Sequence, residues 1–387
     1  MSMLNKTILS YLKLHLFVLA IYLFAGCTNQ ILIRDANLNG LTDKRANDNI
    51  KYSFYSNQNI KNELSYNWDA STYGSLSNTT FTTFDKYLIA TDLGGRVTCF
   101  NIENGKKIGD LKYKGEISHK AIVDKFKIFF IVNNYNEISS TLVVYDYKTG
   151  KEVITTELFD NFSTEILFVN DYIYAVSDLG VVYKFNKNAW ILWEKEFDVE
   201  VSSNPTTDGK NLFFASSDGN IFSIDLKDGK LNYKKNISSG FQSGISISSN
   251  NLYIGDNDGT MFSIDKNNGS IQWSFESNTK IVHSPALDGN SIFFGNLDGD
   301  IFSLNKFSSK LNWISNSKGL VNTAPLVLNN CIIQPNLNKH VDVLNKETGE
   351  LIQNIKFDGR CRTTPIFYKG DIFLGVDKGE VFSYKLN

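Results

Sequence analysis

The sequence is poor in the residues that build metal and nucleophilic sites. It has four histidines among 387 residues, and no two of them have the spacing of a metal-binding pair. They are His15, His119, His283 and His340. The chain also lacks the G-x-S-x-G motif of serine hydrolases. These absences argue against zinc chemistry and against a serine nucleophile, and they favour a protein that is not an enzyme.

The segment Asp256-Asn257-Asp258-Gly259 resembles a calcium-binding loop but does not fit the EF-hand pattern. In an EF-hand frame the first ligand would be Ile254 and the twelfth Asp265, where glutamate is needed. Asp-Gly recurs at 218–219 and 298–299, as expected of a hairpin turn. We therefore predict no metal and no cofactor.

Cysteine is scarce, with four residues in the chain. Cys27 lies near the N-terminus, and Cys99, Cys331 and Cys361 follow. Three cysteines cannot all pair, and these three fall at different places in the repeat described below. We interpret them as small buried hydrophobic residues, although their pairing stays open.

An excess of positive charge is missing as well. Lysine and arginine total 39 against 41 acids, and removal of residues 1–26 would take away Lys6 and Lys13 and leave 37 against 41, a net charge of about −4. Without a basic stripe, binding to nucleic acid is not expected.

Long apolar runs are absent except near the N-terminus. Leu14–Ala25 is too short to span a bilayer and suits the core of a signal peptide. The following Leu23-Phe24-Ala25-Gly26-Cys27 resembles a bacterial lipobox, which predicts cleavage after residue 26 and lipidation of Cys27. Thr28 follows, rather than the aspartate of an inner-membrane retention signal, which favours the outer membrane. Residues 27–62 are polar and rich in asparagine, and we interpret them as a lipidated flexible tether.

The chain contains one short sequence motif, called here the phrase, which is repeated eight times. The clearest copy is Gly219-Asn220-Ile221-Phe222-Ser223-Ile224-Asp225. The eight copies begin at Gly95, Ser140, Gly180, Gly219, Gly259, Gly299, Lys339 and Gly379. All but one of the intervals are close to 40 residues, a period typical of propellers and arrays.

Each repeat contains four short segments suited to β-strands. In residues 201–235, apolar runs rich in Ile and Phe are separated by turns that contain Asp-Gly or Gly. An aromatic residue recurs in the fourth segment, as Trp193, Tyr233, Trp273 and Trp313. Pro205, Pro285 and Pro325 each follow a tryptophan by twelve residues, and we attribute both patterns to packing between blades.

The two ends of the repeat region predict a closed ring. The eighth phrase runs into the C-terminus, so its blade lacks a fourth strand. Leu64–Asp69 contains Trp68 but belongs to no preceding phrase, so we expect it to supply that strand. The prediction is an all-β, eight-bladed propeller of four-stranded antiparallel blades over residues 63–387, as one domain.

The repeat D-G-x-I-F-S-I-D-x-x-x-G-x-x-x-W, with a following proline, resembles that of the PQQ-like β-propeller family. Eight such blades behind a lipobox resemble the BamB-type lipoproteins of the outer-membrane β-barrel assembly machinery. The resemblance implies a non-enzymatic scaffold, anchored in the outer membrane and facing the periplasm. It also implies docking on a BamA-like assembly protein and assistance to unfolded outer-membrane proteins.

The resemblance places a docking surface in two loops. The matching positions here are Phe197-Asp198-Val199-Glu200 and Gly240-Phe241-Gln242, where apolar character is kept and the family's charges are not. Phe197, Val199 and Phe241 are therefore the candidate partner-binding residues, although ordinary blade loops explain them equally well.

Two other functions stay open. One is a surface or periplasmic propeller that binds peptide or glycan outside any assembly machine, since a fold does not dictate a function. The other, more remote, is a PQQ-dependent dehydrogenase, although the chain lacks the adjacent cysteines that such enzymes carry. His283, beside Ser284-Pro285, is a candidate to face the central channel, but a structural histidine is the favoured interpretation.

Overall fold

The computed structural model describes residues 30–37, 55–60 and 63–386. The predicted signal peptide and the predicted lipidation site, Cys27, lie outside the described residues. In the described part, 32 strands form eight four-stranded antiparallel sheets, each built from strands consecutive in the chain except where the ring closes. The predicted eight-bladed all-β propeller is confirmed.

Each blade has four strands, and the blades are numbered 1 to 8 in the order in which their first strands follow along the chain. The first strands are β2 (Thr82–Phe84), β6 (Ile122–Asp124), β10 (Leu167–Val169), β14 (Thr206–Thr207), β18 (Ser246–Ile247), β22 (Ala286–Asp288), β26 (Leu326–Val327) and β30 (Ile366–Tyr368). The second strands are β3 (Tyr87–Thr91), β7 (Lys127–Asn133), β11 (Tyr172–Val176), β15 (Asn211–Ala215), β19 (Asn251–Gly255), β23 (Ser291–Gly295), β27 (Cys331–Pro335) and β31 (Asp371–Gly375).

The third strands carry the repeated phrase and pair with the outermost strands. The third strands are β4 (Arg96–Asn101), β8 (Ser140–Asp146), β12 (Val181–Asn186), β16 (Asn220–Asp225), β20 (Thr260–Asp265), β24 (Asp300–Asn305), β28 (His340–Asn345) and β32 (Glu380–Leu386). The fourth are β5 (Lys107–Lys112), β9 (Lys151–Leu158), β13 (Ile191–Glu196), β17 (Leu231–Asn236), β21 (Ile271–Glu276), β25 (Leu311–Asn316), β29 (Leu351–Lys356) and, for blade 8, β1 (Leu64–Ser71).

The ring closes as expected. β1 pairs antiparallel with β32 from Leu64–Leu386 to Ser71–Glu380, with a bulge between Tyr66 and Trp68. Blade 8 therefore joins the first and last strands of the described chain, and no blade is left with three strands.

The core lies between blades. Phe213 and Ala215 of blade 4 pack in one cluster with Ile254 and Phe262 of blade 5. Because neighbouring blades cover both faces of a sheet, the central strands are apolar on both sides; Leu212 to Ala215 are all fully buried. This explains why the sequence shows apolar runs rather than strict alternation.

An aromatic residue of the fourth strand links each of several blades to the next. Trp273 Nε1 donates to the carbonyl oxygen of Lys306 at 2.9 Å, and Tyr233 Oη donates to that of Lys266 at 3.1 Å. The corresponding bonds of the tryptophans run from Trp68 to Ile102, from Trp193 to Lys227 and from Trp313 to Lys346. The predicted role of these aromatics in blade packing is confirmed.

Strand direction gives the disc two faces. The turns between second and third strands, and the segments that lead from each fourth strand to the next blade, lie on one side, called here the loop face. The turns between first and second strands and between third and fourth strands lie on the other side, the turn face.

The predicted flexible tether over residues 27–62 is wrong for two segments that dock on the ring. In the first docked segment (residues 30–37), Ile31 and Ile33 are buried among blades 1 and 2. In the second docked segment (residues 55–60), Ile60 is buried, and its N–H and carbonyl both bond the Asn330 side chain, at 2.9 and 2.6 Å.

The first docked segment and the start of the closing strand β1 lie where the interblade aromatic is missing. By strand register, Gly109 in blade 1 and Gln353 in blade 7 take the place that Trp313 has in blade 6. Gly109 lies under the carbonyl oxygen of Gln30, and Gln353 bonds the N–H and carbonyl of Leu64 at 2.9 and 3.1 Å. Chain segments thus occupy space that a ring occupies elsewhere.

Within the described residues, no helix is long and apolar enough to cross a bilayer. Cys99, Cys331 and Cys361 are free and fully buried, and burial raises the pKa of each thiol, to about 12 for Cys331 and Cys361.

Candidate partner-binding surface

Two of the three predicted docking residues lie on the loop face of blade 3. Phe197 and Val199 follow β13 and are both partly buried. The Phe197 ring packs edge-on against Phe214 and Phe222 of blade 4, with centroids 5.4 and 5.5 Å away. Its first role is therefore packing between blades, whereas Val199 covers Gly180 at the surface.

The third predicted residue, Phe241, cannot offer its side chain to a partner. It is 0% exposed and lies in the cluster between blades 4 and 5. Its position is a core position of the repeat, since equally buried residues recur every 40 places. These are Val201, Phe241, Ile281, Val321 and Cys361. Phe241 as a docking residue is a wrong prediction.

Four exposed apolar side chains that sequence reasoning missed lie on the loop face of blades 2 and 3. Phe159 is 86% exposed, and Ile138, Tyr135 and Leu179 are each at least half exposed. We call these four residues the blade 2–3 patch. Such a group of large apolar side chains is the usual mark of an interaction surface.

Hydrogen bonds hold the parts of the patch together. Ser140 pairs with Leu158 across β8 and β9, which brings Phe159 beside the turn that carries Ile138. The Leu179 N–H donates to the Asp160 carboxylate at 3.2 Å. The patch therefore sits on a backbone fixed by sheets and by one side-chain bond, rather than on free loops.

The surface around the patch is acidic. Glu137 and Glu200 are exposed, and Asp178 lies half-buried beside Asp160 and Glu116. Burial raises the pKa of Asp178, and the charges of Asp160 and Glu116 add to this effect, against hydrogen bonds from Ser163. Apolar rings with carboxylates around them suit a partner that presents apolar and basic side chains.

The sequence does contain signals for the patch. Leu179 occupies the turn position where Asp218, Asp258 and Asp298 stand in later repeats. Tyr135 and Ile138 lie in the turn between β7 and β8, and this turn accounts for the one interval of 45 residues. Departures from the repeat, not its regular positions, mark the surface.

The central channel is polar where the loop face opens into it. Segments before several first strands line a cavity of about 260 Å³, with His283, Glu165, Asn204 and Arg362 among the lining residues. Glu165 accepts hydrogen bonds from the Thr79 hydroxyl and from an N–H at Lys120. His283 thus lines the channel.

The histidines of this region serve the structure. The Ile131 N–H donates to His119 Nε2 at 3.3 Å, so Nδ1 carries the proton and donates to the Lys120 carbonyl at 3.0 Å. Burial lowers the pKa of His119, and it lowers that of His283 to about 4. Both rings are therefore neutral at pH 7.

A family model described as outer membrane protein assembly factor BamB matches residues 93–263 and 257–386. The chain belongs to this family. The comparison with curated protein sequences gives no significant match.

Several solved structures share the fold. BamB from Moraxella catarrhalis has a TM-score of 0.71 and 15% identity over 84% of this chain and 100% of that chain. The computationally designed Ika8 protein has a TM-score of 0.70 and 14% identity over 82% of this chain and 100% of its own. Quinohemoprotein alcohol dehydrogenase from Comamonas testosteroni has a TM-score of 0.72 and 10% identity over 86% and 79%. At these identities the likeness shows the fold alone.

The dehydrogenase neighbours raise the question whether the channel fits a quinone with calcium. Calcium needs six to eight oxygen ligands with several carboxylates among them. Among the described residues that line the cavity, Glu165 is the one carboxylate, and hydrogen bonds from its neighbours already engage it. The described residues contain no group of three or more His, Cys, Asp or Glu placed to hold a metal. The cavity lining therefore does not fit a quinone held together with a calcium ion.

Proposed function

We propose that this chain is a non-catalytic scaffold lipoprotein of the outer membrane, facing the periplasm and anchored through Cys27. It would bind a BamA-like assembly protein and so assist the insertion of β-barrel proteins. Membership of the BamB family carries this proposal. The blade 2–3 patch supports it, because large apolar side chains exposed on a rigid ring suit a protein-binding role.

The binding surface would be the blade 2–3 patch with Val199 at its edge. Phe159 and Leu179 would be the anchors, since large apolar side chains that become buried dominate interface energies. Glu137 and Glu200 would form a rim that attracts basic residues of the partner.

A pull-down from membranes tests the proposal. The double variant Phe159→Ser, Leu179→Ser should retain about tenfold less BamA-like protein than the unmodified chain. The matched control is Phe307→Ser, because Phe307 is 65% exposed but lies on the turn face of blade 6. Equal retention by the double variant would exclude the patch, and failure of the unmodified chain to retain any BamA-like protein would overturn the function.

A further inference from the structure

The first docked segment begins at the outer circumference of the disc. The Gln30 carbonyl lies over Gly109 in the outermost strand of blade 1, where a Cβ would come within 1.9 Å of the oxygen. The Gln30 and Leu32 side chains lie against Gly150, in the turn before the outermost strand of blade 2. Gln30 therefore sits between the outer edges of blades 1 and 2.

From there the segment runs inward across the turn face. The Ile33 N–H bonds the Tyr147 carbonyl at 2.8 Å, and Asp35 bonds Lys86 and Tyr87, both at 2.7 Å. Asn37 reaches Asp85, in the turn between the first two strands of blade 1. Because the segment points inward from residue 30 onward, the preceding chain leaves the ring at its rim.

This path limits where a lipid on Cys27 can be. Cys27 precedes Gln30 by three residues, and three residues span roughly 11 Å when fully extended. We propose that the outer edge of blades 1 and 2 is the surface of this protein that meets the lipid bilayer. The inference rests on the proposed lipidation of Cys27.

The chemistry of this edge suits lipid headgroups. A groove of about 430 Å³ opens beside Gln30, with Lys112 and Lys151 on its two sides. Lys151 is exposed, and the exposed Lys148 lies in the adjacent turn. Lys112 is exposed as well, and its ammonium donates to the Gly94 carbonyl on the loop-face side. Ammonium groups at such an edge attract lipid phosphates. Tyr113 contributes an apolar wall, with its hydroxyl bonded to Glu152 at 2.8 Å.

This membrane contact would fix the orientation of the disc relative to the bilayer. A disc that meets the bilayer at the edge of blades 1 and 2 stands on its rim, with its loop face open to the side. The blade 2–3 patch then lies close to the membrane surface, where a partner with a membrane-embedded portion can reach it.

Headgroup quenching on vesicles tests the orientation. Full-length lipidated protein is bound to vesicles of phosphatidylethanolamine and phosphatidylglycerol that carry a nitroxide headgroup. A fluorophore is attached in the variant Lys151→Cys or, separately, Lys310→Cys. These exposed lysines both immediately follow the turn between third and fourth strands, in blades 2 and 6 on opposite sides of the ring. The native Cys99, Cys331 and Cys361 are buried and do not compete for the label.

We expect quenching at position 151 to be about threefold or more that at position 310. Adding Gly109→Ala should reduce this contrast, because the new methyl group displaces Gln30, while vesicle binding persists. Ser274→Ala, on the exposed outer strand of blade 5, should leave the contrast unchanged.

Equal quenching at both positions in a chain whose Cys27 is acylated by mass spectrometry would overturn the orientation alone. A contrast that survives Gly109→Ala would also overturn it, because the docked segment would not be its cause. A Cys27 without lipid would overturn both the anchoring proposal and this inference.

Discussion

The indole nitrogen of Trp313 donates a 2.8 Å hydrogen bond to the carbonyl oxygen of Lys346, one blade further along the ring. The same ring covers Gly349, whose φ is +74° and where a Cβ would lie 2.5 Å from the indole. One side chain thus joins the outer strand of blade 6 to a turn of blade 7. Because the contact repeats around the disc, the stability of the ring depends on it.

Truncation of Trp313 should therefore be costly. We expect Trp313→Ala to lower the free energy of unfolding by about 3–5 kcal/mol, through lost burial and the cavity left behind. Trp313→Phe should cost about 1–2 kcal/mol, since it loses mainly the hydrogen bond. Urea unfolding measures both. Trp190→Ala is the control, because Trp190 is 65% exposed and should cost less than about 0.5 kcal/mol; similar losses at both sites would contradict this account.

Gln353 supports ring closure through two hydrogen bonds of its side chain. Its amide bonds both the N–H and the carbonyl of Leu64, the first residue of the closing strand. Gln353→Ala should lower the free energy of unfolding by about 1–2 kcal/mol and speed hydrogen exchange in β1. Gln272→Ala, on an exposed outer strand of blade 5, is the control. If β1 exchanges at the same rate in both variants, Gln353 does not hold the closure.

The lowered pKa of His283 predicts that the folded protein loses stability in acid. Its pKa is lowered by burial to about 4, against about 6.5 in an unfolded chain. Between these values the unfolded chain binds a proton that the folded protein does not, so stability falls as the pH drops from 6.5 toward 4. This group should contribute a loss on the order of 2 kcal/mol.

His283→Gln removes this titration and keeps a polar side chain. The difference in unfolding free energy between about pH 7 and pH 4.5 should be smaller in the variant. Other titrating groups, such as His119, are present in both proteins and cancel in the comparison. The same pH dependence in both would show that His283 does not titrate as described.

The acidic rim of the blade 2–3 patch predicts a salt-dependent association. Glu137→Lys with Glu200→Lys should slow binding of a basic partner by about tenfold at low ionic strength and should remove most of the effect of added salt. Binding kinetics at about 50 and 300 mM salt measure this. Glu347→Lys, an exposed site on the turn face of blade 7, serves as the control. Unchanged kinetics in the double variant would exclude a basic partner surface.

Much of the fold could be predicted from the sequence, because a repeat forces the same packing at every copy. The blade count, the strand content and the Trp68 strand that closes the ring followed from spacing alone. The candidate partner-binding surface could not be predicted in the same way. Phe241 looked like a docking residue but lies at a repeating core position, whereas Leu179 was overlooked although it replaces a turn aspartate.

The tether was misjudged for a related physical reason. Composition makes residues 27–62 polar on average, yet three isoleucines are enough to dock two short segments. The site of the first segment becomes visible only when strand register shows that Gly109 stands where other blades have an aromatic residue. Average polarity does not report a few buried side chains.

The binding proposal is tested most directly by site-specific photo-crosslinking in cells. A photoreactive amino acid replaces Leu179, which is 52% exposed in the blade 2–3 patch, or, in a second strain, Phe307 on the turn face. We expect a cross-link to a BamA-like protein from position 179 and none from position 307. A cross-link from 307 with none from 179 would contradict it.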